Sequence, residues 1–248
     1  MAVTIPIRKS SHPLIGYLKM PLEIKRIQGL CFDVDGTLSD TDDMFVRRLV
    51  HWLKPFSFLF PLKNPHPVAR RMVMATETPA NKLYGVFDRL GIDHEISKMG
   101  EFVYRLGLGR GSEPFIIIAG IHQMLEQLQH HYPLSIVSAR GQPSTLRFLE
   151  QFNLRSYFRC VATAHTCKHT KPYPDPIYWA AAQMDIMSEN CLMVGDTTVD
   201  IKAGKAAGAQ TLGVLCGFGQ EVELRSAGAD LILDSTASVA DILLNSPL

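Results

Sequence analysis

At 248 residues, with 46% hydrophobic and 20% charged residues, the chain has room for one large domain or for a core carrying a smaller insert. Its formal net charge of +1 creates no long-range field to draw nucleic acid or an anionic membrane. Five cysteines, odd in number and without a Cys-x-x-Cys pair, argue against a disulfide framework or a zinc site and fit a reducing cytoplasm.

Residues 1–26 lack the continuous apolar core of a secretory signal and read as an N-terminal extension carrying Lys9, Lys19, Lys25 and Arg26. No stretch approaches the roughly 18 uninterrupted apolar residues needed to cross a bilayer. The nearest, Phe56-Ser57-Phe58-Leu59-Phe60, is short, bounded by Pro55 and Pro61, and reads as packing or a pocket wall.

The first strand is expected over 27–32, and it runs directly into Asp33-Val34-Asp35-Gly36-Thr37-Leu38. Side chains two apart on a strand share a face, so Asp33 and Asp35 would approach one point if the strand continued through them. Paired carboxylates repel unless a cation or shared proton relieves them. Mg2+ takes such oxygen ligands together with phosphate oxygens, so the pair points to metal-assisted phosphoryl transfer. A calcium loop would need further oxygen ligands at regular spacing and a closing Glu, which do not follow.

After this motif the alternation of strands and helices stops. Residues 41–111 carry helical patterns (Met44, Leu49, Val50 and Leu53; then Val86, Phe87 and Leu90; then Ile96, Met99, Phe102, Val103 and Leu106) and no convincing strand. An insert at this point is expected to act as a lid over the site that excludes water, or to be a separate packing domain with no catalytic role. Alternation then resumes. Helices carry Ile121, Met124, Leu125 and Leu128; open at Pro143 and at Pro176; and run over 197–207 to a stop at Gly208. Strands are expected at 134–138, 160–163, 191–194, 211–214 and 231–233. Such alternation predicts an α/β parallel sheet covered on both faces, with ligands beyond the carboxyl ends of its strands.

Further polar motifs fall at those ends. Ser138 closes the second strand and, with the N–H groups of Ala139 and Arg140, can hold phosphate oxygens or simply cap the next element. Arg140 can add a phosphate contact or stay solvated. Lys171 stands in a loop stiffened by Pro172, Pro174 and Pro176, from which an ammonium can offset phosphate charge and clustered carboxylates. His169, in the same loop, reads as structural or solvated. Asp196 ends the strand at 191–194 and Asp200 lies one helical turn on, so both can reach a cation held by the first pair, or merely complement a helix dipole.

Acid pair, strand-end serine, rigid lysine and second acid pair, taken in order, resemble the four motifs of the haloacid dehalogenase superfamily over about residues 27–235. The resemblance implies a Rossmann-like parallel-sheet core (27–40 and 112–248) with an inserted helical cap (41–111) after the first strand. The cap position, and Gly217-Phe218-Gly219 with Ala227-Gly228-Ala229-Asp230, are similar to the subgroup of phosphoglycolate phosphatases and β-phosphoglucomutases. It further implies Asp33 as nucleophile, Asp35 as general acid and base, and Ser138 and Lys171 on the transferring phosphate. Mg2+ would sit among Asp33, the Asp35 backbone carbonyl and Asp196, with Asp200 as ligand or behind the ligands. The second Asp argues for phosphate rather than halide chemistry. The function expected is a Mg2+-dependent phosphatase acting on a small phosphorylated metabolite. A phosphomutase, or a binding protein on the same scaffold, is the alternative. The segment after Leu38 and the cap sequence match no pattern that names a substrate.

Overall fold

The computed structural model describes residues 22–40, 54 and 115–245. The chain divides into two compact units, one of Met1–Asp40 with Ile117–Leu248 and the other of Thr41–Ile116. The expected helical cap at 41–111 and most of the N-terminal extension lie outside the described residues.

The first unit is built on a six-stranded, all-parallel sheet in the order β3-β2-β1-β4-β5-β6. The strands are β1 Gly29–Phe32, β2 Leu134–Val137, β3 Phe158–Ala162, β4 Cys191–Gly195, β5 Gln210–Val214 and β6 Leu231–Leu233. Each expected strand is present, with ends displaced by at most two residues. The Rossmann-like α/β core is therefore the observed fold. Helices connect the strands: α1 Ile121–Leu128 before β2, α2 Gln142–Gln151, α3 Asp175–Met184, α4 Thr198–Ala206, α5 Glu221–Ala227 and α6 Val239–Leu244. The last two are short and carry little apolar periodicity, which is why the sequence pattern alone does not announce them.

Strands β1, β2, β4 and β5 are buried along their whole length, as a parallel sheet covered on both faces requires. Period-two alternation sorts their side chains. Cys31, Val137 and Met193 join a cluster with Ile177, Ala180, Ala181 and Met184 of α3 and Ala203 of α4. Leu30, Phe32, Leu134, Ile136, Leu192 and Val194 are turned to the other face, where the Phe32 and Phe158 rings meet edge to face at 6.4 Å. The edge strands β3 and β6 are less buried.

The chain runs outward from β1 through β2 to β3, then returns to β4 beside β1 and runs outward on the other side. The carboxyl ends of β1 and β4 therefore flank the reversal point, where such sheets open a crevice. The loops after β1 (33–40), β2 (138–141) and β4 (196–197) all emerge there.

Leu192 is fully buried in central strand β4, so Leu192→Ala should cost about 2–5 kcal/mol, read as a lowered urea midpoint at unchanged m-value.

Candidate active site

Asp33 is the first residue past β1, and its N–H donates to the Val194 carbonyl at 3.0 Å, which continues the ladder to β4 by one step. The chain then turns sharply. The N–H groups of Leu38 and Ser39 both donate to the Val34 carbonyl (2.9 and 2.8 Å), and Gly36 takes φ +70°, in the left-handed region that favours glycine. Because the strand ends at Phe32, the two acids of the motif part company. The Asp33 side chain is 10% exposed and pairs with Lys171, whereas that of Asp35 is 31% exposed and pairs with Arg140.

The Lys171 ammonium lies 2.8 Å from Asp33 Oδ1 and 2.6 Å from Asp200 Oδ1. Asp200 is itself fixed. It is the third residue of α4, and its Oδ2 accepts from the Thr197 N–H (3.0 Å) and hydroxyl (2.8 Å) in a capping box. Capping and Lys171 thus hold the two oxygens of one carboxylate.

Asp196 is fully buried one residue past β4. Its Oδ1 accepts from the Thr37 hydroxyl at 3.3 Å and its Oδ2 from the Phe218 N–H at 2.8 Å. The backbone closes around it. A Cβ on Gly36 or Gly217 would strike its carboxylate, and one on Gly219 would strike its carbonyl. Carboxylate oxygens of Asp33, Asp196 and Asp200 lie within 4.8 Å of one another. Among the described residues, three buried carboxylates with the Lys171 ammonium offer a set of hard oxygen donors, and that donor set suits a divalent cation.

Burial pushes the Asp33 carboxyl up to about 7; Lys171 opposes this, while the charges of Asp200 and Asp35 add to it. For Lys171, burial by itself would lower the ammonium, but the carboxylates of Asp200 and Asp33 outweigh it and hold Lys171 above its ordinary value.

The Arg140 guanidinium does not stand in solvent. Nε donates to Asp35 Oδ2 at 2.9 Å and Nη2 to Asp35 Oδ1, a bidentate fork, while Nη1 reaches the Ser144 hydroxyl at 3.5 Å. Ser138 is buried at the end of β2, with its hydroxyl accepting the Arg140 N–H at 3.1 Å; Ala139 is exposed. The expected residues thus form two groups, Asp33–Lys171–Asp200–Asp196 and Asp35–Arg140, with Ser138 tied to the second by the backbone of Arg140. Asp35 offers no side-chain oxygen to the three-carboxylate group. His169 is exposed and bonds Asp175 at 3.0 Å, in keeping with a structural or solvated role.

Sequence reasoning assigned no role here to Thr37, to the Phe218 N–H or to the glycines at 217 and 219. Their available signal was two glycines two apart just past a strand, a mark of close backbone approach. Thr37 is held in turn by its own carbonyl, which accepts the Thr236 hydroxyl at 2.7 Å.

The model of the haloacid dehalogenase-like hydrolases matches residues 30–214. The chain is 28% identical over 218 residues to the pyrophosphatase PpaX of Anoxybacillus flavithermus, covering 88% of this chain and 97% of that one. It is 27% identical over 226 residues to PpaX of Oceanobacillus iheyensis, covering 89% and 98%. Among solved structures, a haloacid dehalogenase-like family hydrolase from Streptococcus pneumoniae matches at TM-score 0.63 and 20% identity, covering 88% of this chain and 99% of that one.

Two measurements probe this geometry. Gly219→Ala should displace the loop that holds Asp196, and should reduce the rise in melting temperature produced by millimolar Mg2+ well below the wild-type rise. The second uses metal-free protein. With Asp33 at about 7 when folded against 3.8 otherwise, the folded state carries an extra proton between those values, so this group's contribution to stability falls as pH rises from about 4 to 7. Asp33→Asn removes that loss. In EDTA its melting temperature relative to wild type should rise between pH 5 and pH 8, by an amount on the order of a few kcal/mol in stability.

Proposed function

The chain belongs to the haloacid dehalogenase-like hydrolases and is a phosphatase of that family, and on this premise we propose that it hydrolyses a small phosphorylated metabolite with Mg2+ through an aspartyl-phosphate at Asp33. The observation that carries the reading is the buried cluster in which Lys171 bridges Asp33 and Asp200 with Asp196 alongside. One ammonium among three carboxylates is an arrangement made to receive further positive charge and then a phosphate.

In this reading Lys171 holds Asp33 Oδ1, so that Oδ2 attacks phosphorus. As the Asp33–phosphorus bond forms, the bond to the leaving oxygen breaks, and that oxygen takes the proton of the Asp35 carboxyl. Asp35, now ionised, takes a proton from water. The water oxygen attacks phosphorus, the bond to Asp33 breaks, and inorganic phosphate departs. Ser138 and the N–H groups of Ala139 and Arg140 close the turn that receives the phosphoryl oxygens.

Asp33, Asp196 and the Asp35 carbonyl would hold the cation, with Asp200 acting through Lys171. Bound Mg2+ would supply neutralisation of the charge on the transferring group. Burial of the cluster excludes water and strengthens each of these interactions. The relatives named as pyrophosphatases favour a phosphoanhydride within the substrate class. No helix among the described residues is long and apolar enough to cross a membrane, and all five cysteines are free, which suits work on a dissolved metabolite in a reducing compartment.

The test is phosphate release from a panel of phosphorylated metabolites that includes inorganic pyrophosphate, with Mg2+ or with EDTA. Release should require the metal, and Asp33→Asn should lower kcat by at least about a thousandfold while the fold persists. Isomerised sugar phosphate with little free phosphate would replace hydrolysis by mutase chemistry. Undiminished turnover in Asp33→Asn would overturn the mechanism.

A further inference from the structure

Of the donors proposed for the cation, Asp33 and the Asp35 carbonyl come from the chain leaving β1, whereas Asp196 comes from the loop after β4. The link between the two is the stretch Gly36–Thr37, because the Thr37 hydroxyl donates to Asp196 Oδ1 at 3.3 Å. Two side chains to which the proposed reaction gives no work hold that stretch by its carbonyls. Thr236, in the single 3-10 turn Thr236–Ser238 after β6, is fully buried and donates its hydroxyl to the Thr37 carbonyl at 2.7 Å. Cys216, two residues past β5, has its Sγ 3.5 Å from the Gly36 carbonyl and 3.4 Å from Thr236 Oγ1. A carbonyl only accepts, so the one hydroxyl hydrogen of Thr236 is committed to Thr37, and the thiol hydrogen serves Gly36 or the Thr236 oxygen.

Both supports are braced in turn. The Leu215 N–H donates to the Leu233 carbonyl at 2.9 Å, which extends the pairing of β5 with β6 to the neighbour of Cys216. The Ser235 hydroxyl accepts the Ala237 N–H at 3.3 Å and the Ser235 carbonyl accepts the Ser238 N–H at 3.2 Å, so Thr236 rides on a capped turn. Gly217 lies against the same stretch, where a Cβ would strike both the Gly36 carbonyl and the Asp196 carboxylate. Gly36–Thr37 is thus tied to Asp196 by one side chain and to the exits of β5 and β6 by two carbonyls. Loss of either donor would strand a buried carbonyl, and the turn would shift to find another partner.

Cations differ in how much such a shift matters. Mg2+ demands near-octahedral geometry at about 2.0–2.1 Å, whereas Ca2+ accepts about 2.3–2.6 Å in flexible arrangements. Resting on the Mg2+-dependent phosphatase reading, we infer that Thr236 and Cys216 are positioning residues that fix the Gly36–Thr37 turn against Asp196 and thereby give the cation site its preference for Mg2+ over Ca2+. They act through the carbonyls of Gly36 and Thr37. The turn conveys the constraint back to Asp33 and the Asp35 carbonyl, and the Thr37 hydroxyl conveys it to Asp196.

The experiment titrates metal-free protein with Mg2+ and, separately, with Ca2+, reading each apparent Kd from the rise in melting temperature. Thr236→Val should weaken Mg2+ by about tenfold or more and Ca2+ by at most about threefold. Cys216→Ala should move the ratio of the two in the same direction by about threefold or more, and Thr236→Ser, which keeps the hydroxyl, should bring Mg2+ back to within about threefold of wild type. Thr211→Val is the control: it removes an equally buried hydroxyl that bonds Asp230 at 3.0 Å, and it should lower the melting temperature while leaving both Kd values unchanged. Equal weakening of the two cations, unchanged Mg2+ affinity in Thr236→Val, or a Thr236→Ser as weak as Thr236→Val would each overturn the inference. So would a wild type that binds Ca2+ as tightly as Mg2+, or a Thr211→Val that shifts the ratio as far as Thr236→Val. If Thr236→Val does not fold, Cys216→Ala decides alone, and an unchanged ratio there overturns the inference. Mg2+ binding by wild type that Asp196→Asn abolishes keeps the Mg2+ reading intact whichever way Thr236 falls, and absence of Mg2+ binding by wild type overturns the two together.

Discussion

A lysine ammonium enclosed by carboxylates is the constraint on which the rest of this molecule depends. Lys171 is almost wholly buried, and a buried charge is tolerated only where partners replace the water it has lost. Asp33 comes from the end of β1 and Asp200 from the first turn of α4, more than a hundred residues apart, and the ammonium between them ties both to the loop that precedes α3. The parallel sheet makes this possible. Its strand order reverses between β1 and β4, so that the loops after those strands diverge from a common floor. The hydrophobic layers on either face hold that floor rigid, and charge that would be costly in isolation becomes usable within it.

Around Asp196 the device is different. A hydroxyl, a backbone N–H and the close approach of glycine backbone hold this residue. A side chain at Gly36 or Gly217 would collide with its carboxylate, and one at Gly219 with its backbone carbonyl. The Thr37 hydroxyl and the Phe218 N–H orient the two carboxylate oxygens. Lys171, by contrast, partly cancels Asp33 and Asp200. In the proposed reaction Asp196 ligates the cation, whereas Asp33 attacks and Asp200 positions through Lys171.

Asp35 shows how two residues of a single motif can be given different work. Two positions apart from Asp33, it would share a face with it on a continued strand. The strand stops at Phe32, and the tight turn built on the Val34 carbonyl and Gly36 swings Asp35 toward Arg140. The more solvent-accessible carboxyl is the one that exchanges protons, and the sequestered one is the one that forms the bond to phosphorus in the proposed reaction.

The sequence by itself determined the sheet. Short apolar runs alternating with amphipathic helices suffice to call six parallel strands, because burial on both faces forces near-continuous hydrophobic composition. It also named the acids and the lysine, since strand-end carboxylates and a proline-bound lysine are local patterns. What only the tertiary structure decided is which of these groups meet. The distribution of carboxylates between Lys171 and Arg140, the glycine enclosure of Asp196 by a loop beyond β5, and the support of Thr37 from Thr236 all join segments that are distant in the chain. No periodicity encodes such contacts; they follow from the order in which the strands pack and from the few ways the loops above them can satisfy buried charge.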